Sequence, residues 1–251
     1  MSGHDLHAHS SRWVSSVSQP GLSSSRRWYA FLAVLFFVCS VVSVGLVMDK
    51  YPYPSPIDEV VHYDFIHDAP HVPVIGEKIS QSAMHEWACR TSGPEYVLPL
   101  PPCHRGPYDP ASFPGAGYST AGGSGPVYYY VTAAFARPLA AVSGWSLFSV
   151  SRGFGAIWLA GLMMVIYLLA ERLGASRLAG AGVAVLVGTG SATITSAATM
   201  GPDTATALTS GLVLLAALSY DGTRRRTTGR REGPARTSAL WPCPVPSWQP
   251  R

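Results

Sequence analysis

The sequence predicts an all-α membrane protein with about four transmembrane helices and an extracytoplasmic loop carrying short juxtamembrane helices. Three observations carry that prediction. Charged residues make up only 13% of the 251 residues, against about 25% in ordinary globular domains. The charges are also segregated, with arginines gathered toward the two ends and long central stretches nearly free of them. Finally, apolar runs long enough to cross about 30 Å of hydrocarbon recur along the chain. The net charge of +4 is not a nucleic-acid signature, because the basic clusters sit at the ends, as the positive-inside rule requires, and not along one helix face.

Residues 1–27 are rich in Ser and His without an apolar period, and read as a disordered cytoplasmic tail ending in Arg26-Arg27. Residues 28–48 contain no charge and open on Trp28-Tyr29, which fits a transmembrane helix held as an uncleaved signal anchor with the arginines inside. Residues 49–147 then form the extracytoplasmic loop, which holds most of the acidic residues and most of the histidines. A loop of this length without structure of its own is uncommon unless it is functional or disordered.

The loop opens on helix-entry chemistry, predicting a helix over residues 55–67. Ser55 is placed to cap it, Pro56 fits the first helical position and Asp58 the third. Ile57, Val61 and Phe65 recur every four residues as an apolar stripe, while Asp58 and His62 share another face with Glu59 beside them. Two carboxylates and an imidazole on a short helix at a membrane surface suit a general base or a divalent-cation site. The plainer alternative is that Asp58 caps while Glu59 and His62 face water.

Beyond that helix the loop reads as irregular, through Pro70, Pro73, Pro94, Pro99, Pro107 and Pro110, and as mobile over the Gly/Ser-rich residues 115–125. His67, His71, His85 and His104 show no ligand spacing and read as loop residues. Cys89 and Cys103 both fall in the loop. An oxidising compartment would allow them to pair as a disulfide.

Residues 126–137 are apolar but short, with Arg137-Pro138 closing the run, and predict an interfacial or re-entrant helix. The triplet Tyr128-Tyr129-Tyr130 suits the headgroup layer, with sugar or carrier stacking as the second reading. Residues 148–220 hold three more spans. One starts at Phe148 or Gly153 and ends at residue 170; another covers residues 178–198 and is rich in small residues; the last covers residues 204–220 behind Gly201-Pro202-Asp203. Both termini then lie in the cytoplasm and Asp203 lies outside, as expected for a multi-pass plasma-membrane protein.

Arg152, near the outer interface, either pairs with a lipid phosphate or simply snorkels to the headgroups. Asp203 lines a carrier or ion site, or caps a helix. A transporter is the weakest class, since no span carries a charge at mid-depth and no inverted repeat is visible. The basic residues 221–251 have no period and read as a disordered tail or as a segment outside the native reading frame.

The order of these pieces resembles the N-terminal part of GT-C type glycosyltransferases, multispanning enzymes that take sugars from polyprenyl-phosphate carriers. The likeness is nearest to a bacterial group of membrane proteins of that clan, common in actinobacteria. Their P-x-D-E-x-x-H sequence is matched by Pro56-Ile57-Asp58-Glu59-Val60-Val61-His62, and their P-P-L-Y-Y motif in part by Gly125-Pro126-Val127-Tyr128-Tyr129. Arg152 matches an arginine at the start of the second span, and Gly201-Pro202-Asp203-Thr204-Ala205 matches a turn before a later one.

The resemblance implies that Asp58 or Glu59 activates an acceptor nucleophile, with His62 assisting or holding a metal, and that Tyr128, Tyr129, Arg152 and Asp203 contact substrate. It leaves the cofactor open, a divalent metal being one option. The implied partners are the lipid bilayer and a polyprenyl-phosphate sugar donor. Members of the clan carry more spans than this chain. That implies a truncated or frameshifted piece, or a partner subunit that supplies the rest.

Overall fold

The computed structural model describes residues 22–55, 58–90 and 99–228. The expectations for residues 1–21 and 229–251, and for Pro56, Ile57 and Pro94, lie outside the described residues. Among those described there are eight α-helices and no β-strand, as the all-α expectation requires.

Helix α1, Leu22–Lys50, begins earlier than the predicted span and takes in Arg26-Arg27. It is apolar on every side. Only the stripe Leu32, Phe36, Ser40 and Val44 is buried, at the four-residue spacing of one helix face, while Phe31, Val34, Phe37, Val38 and Val42 stay exposed. A helix this apolar with one packed stripe turns the rest of its surface to lipid.

Helix α5, Leu147–Arg172, is the hub. Ser146 caps it by accepting the Ser149 N–H at 3.2 Å, and it packs against α1, α4, α6, α7 and α8. Helices α1 and α5 run antiparallel. At one end Trp28 Nε1 donates to the Tyr167 hydroxyl at 2.8 Å and the Tyr29 hydroxyl to Glu171 at 2.8 Å. At the other end Arg152 Nη1 donates to the Tyr51 carbonyl at 2.9 Å.

The predicted span over residues 178–198 is not one helix. Helix α6, Arg177–Gly188, and helix α7, Ser191–Ala198, meet at a 62° bend. Gly190 leaves the helical dihedrals there (φ −59°, ψ 137°), and the Thr189 hydroxyl donates to the Val185 carbonyl at 2.7 Å where the helical ladder stops. The bend lays α7 on α5 so closely that a Cβ on Gly155 would sit 1.7 Å from the Ala197 carbonyl oxygen. Small residues let membrane helices approach this far. Helix α8, Asp203–Thr228, continues past the predicted end at residue 220. Among the described residues two helices, α1 and α5, are long and apolar enough to cross a membrane, and the count rises to three if α6 and α7 form one bent span.

Over the end where Arg152 meets Tyr51 sits the polar loop, whose described part is irregular after α2, as expected, except for one further helix and three short 3-10 turns. Helix α2, Glu59–Asp68, starts four residues later than predicted. Asp58 occupies the cap position, but its side chain makes no capping bond. The reciprocal contact forms instead, with Glu59 Oε2 accepting the Ser55 N–H at 2.6 Å. Helix α3, Gln81–Arg90, was not predicted. Ser80 caps it from the Ala83 N–H, and Asp64 of α2 accepts from both the Ser80 N–H (2.9 Å) and hydroxyl (2.5 Å). Burial pushes the Asp64 carboxyl up, and the two Ser80 bonds pull it back.

Cys89 and Cys103 form a disulfide. The Gly/Ser-rich stretch is pinned through Ile79 N–H to Gly117 O (2.9 Å) and Ser119 N–H to Glu77 O (2.8 Å). At Gly122 a Cβ would fall 2.6 Å from the Pro73 carbonyl oxygen, so only glycine fits.

Helix α4, Val127–Ser143, runs through Pro138, where the sequence predicts its end. Arg137 Nη2 donates to the Ile66 and His67 carbonyls at the end of α2, which holds the turn around Pro138. Gly144, in the left-handed conformation (φ 73°), closes the helix with its N–H on Ala140 O. At 17 residues, α4 is about 25 Å long.

Candidate functional site

The acid pair of the predicted motif is split between two environments. Glu59 is 2% exposed and Arg152 3%, and Arg152 Nε lies 3.1 Å from Glu59 Oε1. The same oxygen accepts the Met200 N–H at 3.0 Å, while Arg152 Nε also donates to the Ala198 carbonyl at 2.8 Å. Burial pushes the Glu59 carboxyl up; the Arg152 guanidinium and the backbone donors at Ser55 and Met200 pull it back. Through Arg152 and the Ser55 and Met200 N–H groups, Glu59 ties α2 to α5 and to the turn between α7 and α8. This corrects two expectations. Glu59 does not face water, and Arg152 neither snorkels nor presents itself to a lipid phosphate, because the helix that carries it is covered by α2 and α7.

Asp58, the other half of the pair, is exposed, and its Oδ1 accepts the Thr120 hydroxyl at 3.2 Å. His62, one turn on, is half-buried. Its Nδ1 is 2.8 Å from the Tyr129 hydroxyl, and the two rings stack with centroids 5.7 Å apart. Burial lowers the His62 pKa, and the charges of Asp58 and Asp203 oppose that shift. Burial likewise pushes the Tyr129 phenol up to about 12, and Asp203 and Asp58 add to the rise. A protonated phenol donating to Nδ1 leaves the hydrogen on Nε2, the ring nitrogen nearest Gly201, whose Cβ position lies 4.0 Å away.

Asp203, exposed, is the first residue of α8, where the helix N-terminus favours its charge. Tyr128 is buried and its hydroxyl accepts the Gly201 N–H at 3.2 Å, with burial raising its pKa. It therefore holds the turn that presents Asp203 and does not itself offer a face for stacking.

One locus therefore gathers Asp58, His62, Tyr129 and Asp203 at the edge of the polar loop, with Glu59 and Arg152 buried beside it. Such a locus can exchange a proton: two exposed carboxylates lie near an imidazole whose pKa burial lowers. No three His, Cys, Asp or Glu side chains among the described residues form a group that could hold a metal.

Of the other histidines, His67 pairs with Asp68 at 2.6 Å, His71 with Glu77 at 2.9 Å, and His104 stacks on Tyr108. Thr120 and Ser80 gave no sequence signal, since a hydroxyl in a Gly/Ser-rich or turn segment looks like any other. Arg137 did give one: it is the only charge in an apolar helix.

Compared with known proteins, the chain matches no family model, no curated protein and no solved structure.

Proposed function

We propose that this chain is the N-terminal part of a membrane glycosyltransferase of the GT-C type, transferring a sugar from a polyprenyl-phosphate carrier to an extracytoplasmic acceptor. The observation that carries the reading is that Asp203, far away in sequence, comes near the Asp58–His62 turn and the Tyr129 hydroxyl bound to it. An acceptor hydroxyl needs a base, and Asp58 is an exposed carboxylate whose position is held by Thr120. His62 would relay or steady that proton, and Asp203 would keep the pocket anionic toward an incoming hydroxyl. Glu59 and Arg152 act beneath as the fixed floor.

The topology proposed with it has four spans: α1, α5, the bent pair α6–α7, and α8. Helix α4 lies along the outer surface. Two contacts support that placement: Tyr128 near its start touches Gly201, and Ser146 just past its end accepts from Arg90 Nη2 at 2.5 Å. Both termini are then cytoplasmic in a plasma-membrane protein, and a partner subunit supplies further spans to wall the carrier.

A second reading is a non-catalytic membrane protein that uses its outer loop for binding. The burial of Glu59 against Arg152 favours it, since half of the acid pair is committed to structure. Transfer from labelled polyprenyl-phosphate sugars by the reconstituted full chain separates the two. The enzyme reading expects Asp58→Asn to lower transfer by about 10²–10⁴-fold with the disulfide and helicity intact. Absence of transfer by the unaltered chain across several donors favours the binding reading or a chain that acts only with the spans of its partner.

A further inference from the structure

Away from this locus, α4 and the turn after α2 enclose an open groove of about 300 Å³. One wall is the α4 stripe of Tyr130, Ala133, Ala134 and Pro138, and the other is Ala69-Pro70. The groove is apolar except at Arg137. That guanidinium is oriented by the Ile66 and His67 carbonyls, both bound through Nη2. Among the described residues it pairs with no carboxylate. A cation fixed in direction, with Nε and Nη1 still able to donate, at the edge of an apolar channel is matched by an anionic head on an apolar tail.

The adjoining face of α4 fixes where this cation stands. Phe135, Leu139 and Val142 are exposed on it, followed by Trp145 at 69% exposure. Apolar side chains with a tryptophan beside them mark the headgroup boundary of a bilayer. The Tyr130 hydroxyl donates to the Pro70 carbonyl at 2.8 Å, which sets the width of the groove.

We infer that this groove binds one phospholipid of the outer leaflet, its phosphate on Arg137 and an acyl chain along Ala133, Ala134 and Pro138. The occupant is a bilayer lipid and not the sugar carrier. Arg137 touches Ile66 and His67, eight and nine residues beyond Asp58 along α2, so the two sites stand on the order of 12 Å apart. A phosphate on Arg137 is too distant for its sugar to meet a base at Asp58. The inference is therefore independent of the glycosyltransferase reading.

Native mass spectrometry of the full chain in detergent, titrated with phosphatidylglycerol, tests it. The expected result is one lipid bound roughly tenfold more tightly than diacylglycerol, which lacks the phosphate. Arg137→Gln should remove that preference and Arg137→Lys should restore part of it. Ala134→Trp fills the groove while keeping the charge and the helix, and should abolish the tight site even if the Arg137→Gln chain fails to fold. Unchanged lipid binding in the Ala134→Trp chain overturns the inference. So does competition by free glycerol phosphate as strong as by the lipid, which would make this a simple anion site. Preferential displacement by polyprenyl phosphate overturns the choice of occupant and turns the groove into a carrier site.

Discussion

The polar loop and the helical bundle are built by opposite means, although one chain makes both. The loop core is aromatic and polar: Tyr63, Phe65, Trp87, Tyr108, Phe113 and Tyr129 pack together within a mesh of side-chain hydrogen bonds and a disulfide. The bundle core is rich in small residues, with Ala156, Ala184, Ala197 and Ala198 between Leu32, Phe36, Met163 and Tyr167, and large apolar side chains such as Phe31, Val34 and Leu214 stay exposed on its surface. In lipid, burying apolar area between helices gains little, so close contact of small residues must do the holding. At the water boundary the hydrophobic effect operates again and large rings are worth burying. Glu59 and Arg152 join the two regions. A buried ion pair of this kind contributes less to net stability than to fixing one region against the other.

Breaking that joint should have the largest effect. Arg152→Ala leaves Glu59 buried without its partner, and about 3–5 kcal/mol of stability should be lost in chemical denaturation of the detergent-solubilised chain. Replacing both residues, Glu59→Gln with Arg152→Met, should recover much of it. If the single and double variants behave alike, the pair is not what couples loop to bundle.

Next comes the disulfide. Removing it by Cys89→Ser with Cys103→Ser should cost about 2–4 kcal/mol, and hydrogen exchange should register the loss in α2 and α3 while α1 and α5 stay protected. The corresponding test of the bundle is Gly155→Val. It forces α7 off α5, at a cost of about 1–3 kcal/mol, with the exchange pattern reversed.

The smallest effect sharpens the comparison through pH. The folded His62 pKa lies below its ordinary value, so the unfolded chain takes up the proton first. Stability of the loop should fall as pH drops through and below the ordinary histidine range, near 6.5, and be fully present above it. His62→Phe should flatten that part of the loop's pH profile, and the bundle should show none of it.

Much of the bundle was legible in the sequence, because length and hydropathy dictate what a segment does in lipid. Residues 28–48 and 148–170 could be nothing but long apolar helices, and α1 and α5 contain them. The bend at Gly190 was not legible, since a Thr-Gly step is tolerated in a straight membrane helix as well as in a broken one. In the loop, spacing singled out Asp58, Glu59 and His62 but not the partners that each would meet. Adjacent acids look alike in sequence; α5 buries one of them, and the edge of the loop leaves the other in water.

What the sequence determined by itself is therefore the all-helical class, the apolar helices and the polar loop between them. Each follows from local composition and periodicity. Only the tertiary structure decided that Glu59 meets Arg152, that Asp58 and Asp203 both act on the same imidazole, and that Arg137 stands at an apolar groove without a carboxylate among the described residues. Those are relations between residues far apart in the chain, set by which surfaces must be covered when α2, α4 and α8 close over the end of α5.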